Sequence, residues 1–287
     1  MSSGTSTSRF GTGKRESHDA TEFYTRRLSE VTFSTDRTVN EVPARVRNRV
    51  FVHTAEHMGE LPDDSVALMV TSPPYHVGKD YDSDASYGEF LGLLRRVFTE
   101  THRVLEPGGR AAIKVANLGR RPYVPLSHHV TAIMDDLGFH MRGEIIWRKA
   151  AGASGSCAFG SWRSAANPVL RDVHEYVLVF SKGRMDRARK GDSTVGRDEF
   201  LRDTLSIWDI TAESARRVGH PAPFPVELPR RLIELYTYRG DVVLDPFLGS
   251  GSTAIAAVQA ERLFVGYELD AGYARLARRR VREASQT

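Results

Sequence analysis

Apolar residues along this chain fall into two alternating rhythms. Short runs such as Arg49-Val50-Phe51-Val52, Val66 to Val70, Ala111 to Val115, Val242-Val243-Leu244 and Leu263 to Tyr267 have the length and apolar density of buried strands. Between them, Phe90, Leu93, Leu94, Val97, Phe98 and Leu105 recur at helical spacing until Pro107-Gly108-Gly109 breaks the pattern. Further helices are predicted near 125–137, ending at Gly138, over Pro225–Tyr238, from Ser252 to about Ala260, and from Asp270 onward as a last, basic helix. Glu144 to Trp147 and Tyr176 to Phe180, within strand candidates at 140–147 and 173–180, fit an antiparallel pair at a sheet edge. Strands alternating with helices imply a mostly parallel sheet covered on both faces, a doubly wound α/β domain. No internal repeat is present.

The rhythm is absent in three places. Residues 1–17 are rich in Ser, Thr and Gly and read as a disordered tail, after which 18–287 reads as one domain. Asp19 can cap a short helix carrying Phe23, Tyr24 and Leu28. Residues 148–172 carry Arg148, Lys149, Arg163 and Arg171 against the single acid Asp172, and residues 181–206 carry seven cations partly balanced by five acids. Long irregular segments inside compact domains are commonly functional. Either could follow a phosphate backbone, and either could be an ordinary solvated loop.

Two of the strand ends carry chemistry. Val66 to Val70 runs into Thr71-Ser72-Pro73-Pro74-Tyr75, where the prolines stop the strand and stiffen the turn. A hydroxyl, fixed carbonyls and one aromatic ring then stand in a set relation. Such a turn suits a flat ring bearing an amino group, with Ser72 and a carbonyl accepting its protons and Tyr75 stacking on it. Taken alone, the string also fits a structural turn.

The second strand end is Asp245-Pro246-Phe247-Leu248-Gly249-Ser250-Gly251-Ser252-Thr253, between an apolar strand and a helix. Glycine there lets backbone turn tightly and approach a ligand. Glu268, at the end of the next strand, is placed to accept hydrogen bonds from ribose hydroxyls. Three nucleoside ligands compete for this loop. A phosphate-binding loop needs a Lys before its Ser/Thr, and none is present. A dinucleotide remains open through the loose match Gly249 to Ala254. S-adenosyl-L-methionine carries no phosphate, and the Asp-Pro-Phe opening favours it because a carboxylate would repel a pyrophosphate.

Composition narrows the class without naming it. The 287 residues are 40% hydrophobic and 26% charged, as in soluble globular proteins. No apolar stretch reaches the ~20 residues that span a bilayer. The single cysteine, Cys157, excludes an internal disulfide and fits a cytoplasmic chain. A net charge of +4 is compatible with a nucleic-acid partner. No metal-ligating pattern is present.

With both strand-end loops in view, the chain resembles the amino-methyltransferases of DNA, of the permuted class in which the catalytic motif precedes the cofactor motif. The resemblance covers roughly residues 48–280. It implies a seven-stranded Rossmann-like methyltransferase sheet with an antiparallel edge hairpin and inserted recognition loops. Val70 to Tyr75 looks like the catalytic signature of the N4-cytosine branch, whose adenine relatives more often carry Asp or Asn where Ser72 stands. This implies Ser72, Pro73, Pro74 and Tyr75 as catalytic residues. Asp245, Pro246, Phe247, Gly249, Gly251, Ser252 and Thr253 look like the S-adenosyl-L-methionine loop, and Gly266-Tyr267-Glu268 like the ribose motif. His220 to Pro225 resembles the element that closes over the methionine portion, with Phe224 as contact. One position departs from the family, which commonly places an Asp after the first strand where Thr54 stands here; His53 beside it reads as a satisfied strand-end histidine.

The activity so implied is methyl transfer from S-adenosyl-L-methionine to cytosine N4 in double-stranded DNA, with the base flipped out and no covalent intermediate. His76, Gly78, Lys79, Asp80 and Tyr81 would belong to a flap, and Arg148, Lys149, Arg163 and Arg171 would meet phosphates. C5 methylation needs a cysteine nucleophile after proline, and Cys157 lies far from such a turn. Adenine N6 methylation on the same fold is the alternative; a catalytically silent DNA-binding module and an RNA or protein amine methyltransferase stand behind it. A cognate restriction endonuclease and a nucleoid-associated, prokaryotic setting complete the expectation. Oligomeric state is not legible.

Overall fold

The computed structural model describes residues 32–74, 86–119, 122–149 and 158–286. By its contacts the chain divides into Met1–Ser34 and Thr35–Thr287, and all that follows concerns the second unit. The predicted tail and the helix after Asp19 lie outside the described residues. The strands are β1 (Arg49–Phe51), β2 (Val66–Thr71), β3 (Leu105–Val115), β4 (Phe139–Arg148), β5 (His174–Lys182), β6 (Ile207–Asp209), β7 (Val242–Asp245) and β8 (Leu263–Tyr267). The described helices are α1 (Tyr87–Val104), α2 (Leu126–Asp136), α3 (Arg197–Asp203), α4 (Ala215–Val218), α5 (Glu227–Tyr236), α6 (Ser252–Gln259) and α7 (Ala271–Ala284). Local chemistry sets several boundaries. Ser86 and Glu89 form a reciprocal capping box at the start of α1, and Asp270 caps α7 by accepting the Tyr273 N–H at 2.8 Å.

The strands form one mixed sheet in the order β1-β8-β7-β2-β3-β5-β4-β6. Neighbours from β1 to β3 are parallel, β5 runs antiparallel to β3 and β4, and β6 pairs parallel with β4. The α/β class is as expected, with two corrections of detail. Among the described residues the sheet has eight strands where seven were expected, and the β4/β5 pair lies one strand inside the edge, because β6 covers β4. Three residues are too few to show an alternation. What holds them is Trp208, 1% exposed, whose indole N–H donates to the Asp203 carbonyl at 3.2 Å. The second correction concerns Pro107-Gly108-Gly109, which lies inside β3. Its pairing with β2 passes from Val66↔Leu105 to Leu68↔Arg110, so five residues of one strand advance against two of the other and the excess bulges out.

Side-chain alternation divides the core into two layers. Met69, Ile113, Leu178, Leu244 and Val265 face α1 and α2, meeting Leu94, Phe98, Val130 and Met134. Leu68, Val70, Val179, Val243 and Phe264 face α5, α6 and α7, meeting Leu228, Leu232, Ala256 and Ala277. Each such fully buried Leu, Val, Ile or Phe stabilises the fold by about 1.5–3 kcal/mol. The division matters for function. The helix after β2 lies on one face and the helix after β7 on the other, so a crevice opens between the carboxyl ends of these adjacent strands. Open α/β sheets bind ligands at such a switch point.

Candidate active site

β2 and β7 run side by side, with Leu68↔Val243 and Met69↔Leu244 in register, so their two loops leave the sheet at the same edge. Side chains tie them together. Thr71 donates its hydroxyl to Asp245 Oδ1 at 2.6 Å, and Thr253 donates to the Val70 carbonyl at 3.4 Å. Ser72, Pro73 and Pro74 continue from this anchored strand end; Pro73 is buried, Ser72 and Pro74 half-buried. Tyr75 and the flap candidates His76, Gly78, Lys79, Asp80 and Tyr81 lie outside the described residues.

Asp245 is 1% exposed. Its Oδ1 accepts the Thr71 hydroxyl and, at 3.1 Å, the Phe247 N–H, whereas its buried Oδ2 accepts no hydrogen bond. Burial pushes this carboxyl up to about 6, against the pull of the Thr71 hydroxyl and the Phe247 amide; the nearby Glu268 charge adds to the rise. An orphaned carboxylate oxygen in a loop is costly, and a cationic group placed against it would relieve that cost. Gly249 (φ +51°) and Gly251 (φ +85°) take left-handed conformations that bring the loop back to the helix. A side chain at Gly249 would also meet His220 Nε2 at 2.9 Å. α6 begins directly after Gly251 with no side-chain cap.

Glu268 closes the other side. Its Oε2 accepts the Gly249 N–H at 2.7 Å and its Oε1 the Asp270 N–H at 2.8 Å, leaving each oxygen with further acceptor capacity. Burial raises its pKa, and these backbone amides oppose the rise. Pro246 is buried, Phe247 packs on the α1/α2 side, and Phe224 is buried on the α5/α6 side. The Phe224 carbonyl accepts the Ser252 hydroxyl at 2.8 Å, fixing the segment before α5 to the start of α6. The loop thus presents two carboxylates, left-handed glycines and apolar rings, with no lysine. That donor set fits a cationic, phosphate-free nucleoside ligand and opposes a pyrophosphate. No group of side chains suited to a metal ion occurs among the described residues.

Three further residues, Thr71, His220 and Glu60, support the site, and of these His220 opens the His220–Pro225 element that the sequence singles out. Thr71 stands before Ser72 with no local sign of its partner, which lies 174 positions away. The His220 ring, whose Nδ1 accepts the Ala222 N–H at 3.2 Å, sits 4.6 Å from the Tyr273 ring and over Gly249. The histidine before a Pro-Ala-Pro turn was the available signal. Glu60 accepts the Tyr267 hydroxyl at 3.0 Å and pairs with His53 Nε2 at 2.9 Å, joining the ends of β1 and β8. Both ring nitrogens of His53 therefore have partners, the second being the Thr54 carbonyl. Thr54 itself is exposed and donates to Glu56.

The two basic segments part company. β4 ends and β5 begins at the carboxyl edge of the sheet, the edge of the Ser72 turn. Arg148 forms two bonds to Asp209, at 2.5 and 2.7 Å, and Lys149 pairs with Glu175 at 2.6 Å. Lys114, on β3, meets the same buried Glu175, and both ammonium groups lie over the Trp147 ring. Arg163 is exposed with φ +50°, and the Arg171 guanidinium stacks 3.8 Å from the Phe159 ring centre. The segment 183–196, by contrast, runs along the amino edge. Lys182 pairs with Asp64, Arg187 with Glu106 and Asp241, and Arg189 with Asp241, acids that stand at the starts of β2, β3 and β7.

Comparison with known proteins agrees with this geometry. The DNA methylase family of N6/N4 methyltransferases matches residues 66–279. The Type II methyltransferase M.MthZI of Methanothermobacter thermautotrophicus is 30% identical over 276 residues, 83% of this chain and 78% of that protein. A Thermus thermophilus protein named as a DNA modification methylase, solved in complex with S-adenosyl-L-methionine, is 33% identical, covers 83% of this chain and 94% of its own, and superposes with a TM-score of 0.68. The PvuII cytosine-N4-specific DNA methyltransferase shares the fold at a TM-score of 0.65 and 18% identity, covering 89% of this chain and 95% of its own. With a proline-stiffened turn and a glycine loop at one switch point, and the family matched over most of its length, the chain belongs to the DNA methylase family of N6/N4 amino-methyltransferases.

Proposed function

We propose that this chain methylates the N4 amino group of cytosine in duplex DNA, using S-adenosyl-L-methionine. The observation that carries the reading is the joining of the Ser72-Pro73-Pro74 turn to the Asp245 loop through the 2.6 Å Thr71–Asp245 bond. It sets a proton-accepting turn beside a pocket for a cationic donor. When bound, S-adenosyl-L-methionine supplies a sulfonium methyl whose carbon is electrophilic. Asp245 would hold the ammonium of the donor's amino-acid end, Glu268 its ribose hydroxyls, and Phe224 and Phe247 its apolar flanks.

An exocyclic amine is a weak nucleophile because its lone pair is delocalised into the ring. Ser72 Oγ and the Pro73 carbonyl, accepting its two protons, draw the nitrogen toward tetrahedral geometry and localise that pair. Pro74 stiffens the turn, and Tyr75 stacks on the ring in place of the lost base stack. As the N–C bond would form, the methyl–sulfur bond would break with its electron pair left on a neutral thioether; the nitrogen becomes acidic, so its proton leaves to water along the Ser72 hydrogen bond without a strong base. Ser72, where an acid or amide would otherwise stand, favours cytosine. The Type II relatives support a role in shielding sites from a cognate restriction endonuclease.

The test is nucleoside analysis by mass spectrometry of unmethylated plasmid treated with protein and donor. N4-methylcytosine is the expected product. N6-methyladenine alone would assign the amine to adenine and overturn the reading of Ser72.

A further inference from the structure

We propose that the hairpin over residues 159–169 inserts into the DNA duplex, with Trp162 stacking on bases where the target base has left. The hairpin lies in the β4–β5 connection, at the edge of the sheet that carries the Ser72 turn. It is braced from within. The Ser161 N–H donates to the Asn167 carbonyl and the Val169 N–H to the Phe159 carbonyl, each at 2.9 Å. Ser161 Oγ accepts the Asn167 N–H at 2.8 Å and donates to the Ser164 carbonyl at 2.8 Å. Arg163 makes the tip turn in a left-handed conformation.

This braced tip holds apolar rings in water. Trp162 is 69% exposed, whereas the other two tryptophans of the chain, Trp147 and Trp208, are 2% and 1% exposed. Phe159 packs edge-on against Trp162 with centroids 5.0 Å apart, and Arg171 covers Phe159. Trp162 therefore has a fixed ring and then a cation behind it. Residues 158–171 contain two arginines and no acid. Exposed aromatic surface marks an interaction site, and a ring set among cations matches stacked bases flanked by phosphates. Apolar side chains fill opened base steps in other DNA-bending proteins. The proposal rests on DNA as substrate and not on which base is methylated.

Trp162 supplies its own reporter, being the exposed tryptophan of three. Acrylamide quenching of intrinsic fluorescence is measured in the full chain alone and saturated with a duplex bearing its mapped methylation site, with Trp162→Phe as reference for the two buried rings. DNA should remove the quenchable component from the parent. Trp162→Ala should weaken duplex affinity about ten-fold or more and reduce the 2-aminopurine signal of an opened base step, with donor affinity unchanged. A Trp162 that stays quenchable in the complex, or an Ala variant that binds and opens duplex like the parent, overturns the proposal. Because neither readout depends on the methylated product, finding N6-methyladenine would change the target base and leave this test standing.

Discussion

Residues 148–172 carry four cations against one acid, and residues 181–206 carry seven against five. By local count both are basic loops. In the folded chain the first leaves β4 and enters β5 at the carboxyl edge of the sheet, and its Arg163 and Trp162 face water. The second begins along the amino edge, over residues 183–196, where Arg187 bridges buried Glu106 and Asp241 while Lys182 meets Asp64. Those three acids come from elsewhere in the chain, so a local charge balance does not see them. One edge keeps groups for a ligand; the other is closed upon itself. The comparison makes opposite demands on variants at the two edges, and they can be ranked.

The largest effect belongs to the amino edge. Arg187→Met leaves buried Glu106 and Asp241 with only the half-exposed Arg189 beside them and should lower unfolding free energy by about 3 kcal/mol in urea titration. The salt dependence of DNA binding should not move. A variant as stable as the parent would break the assignment of this edge to structure.

Next come residues of the carboxyl edge. Ser72→Ala should lower the single-turnover rate by about 10²-fold at unchanged donor affinity. Asp245→Asn tests the orphaned carboxylate through pH. Its folded pKa, about 6, lies above its ordinary 3.8, so the stability it confers is full below pH 3.8 and lost as pH rises through 6. The variant should therefore melt higher than the parent at pH 8, by roughly 2–3 kcal/mol, with the gap closing near pH 4, and should lose donor binding. Equal melting at pH 8 would contradict a buried, uncompensated charge. Glu268→Ala should weaken donor binding by about 1–3 kcal/mol, read by calorimetry. Smallest is Arg163→Gln, which should reduce the salt slope of duplex binding by about one unit, while Lys190→Gln, at an exposed position of the amino-edge segment, leaves that slope alone.

Much of this was legible in the sequence, for identifiable reasons. A proline pair after an apolar run marks a strand end, and Asp-Pro-Phe before a glycine loop marks another; both signals are local. Glu268 followed from its distance along the next strand. What joined these parts was not local. Thr71 finds Asp245 only because β2 and β7 become neighbours, which the order of strands in the chain does not state. β6 was invisible because three residues carry no period, and the early start of β3 was hidden by Pro107 and two glycines that the bulge absorbs. Lys149 and Arg148 pair with Glu175 and Asp209, acids that other strands bring and that a local charge count does not see.

The central claim is that Ser72 and Pro73 present a cytosine amine to a donor held by the Asp245 loop. The most direct measurement treats one unmethylated DNA with the parent and with Ser72→Ala at saturating donor, and counts methylated nucleosides by mass over time. The account predicts N4-methylcytosine from the parent and about 10²-fold slower formation from the variant. Equal rates from both, or methyl groups found only on adenine, would contradict it.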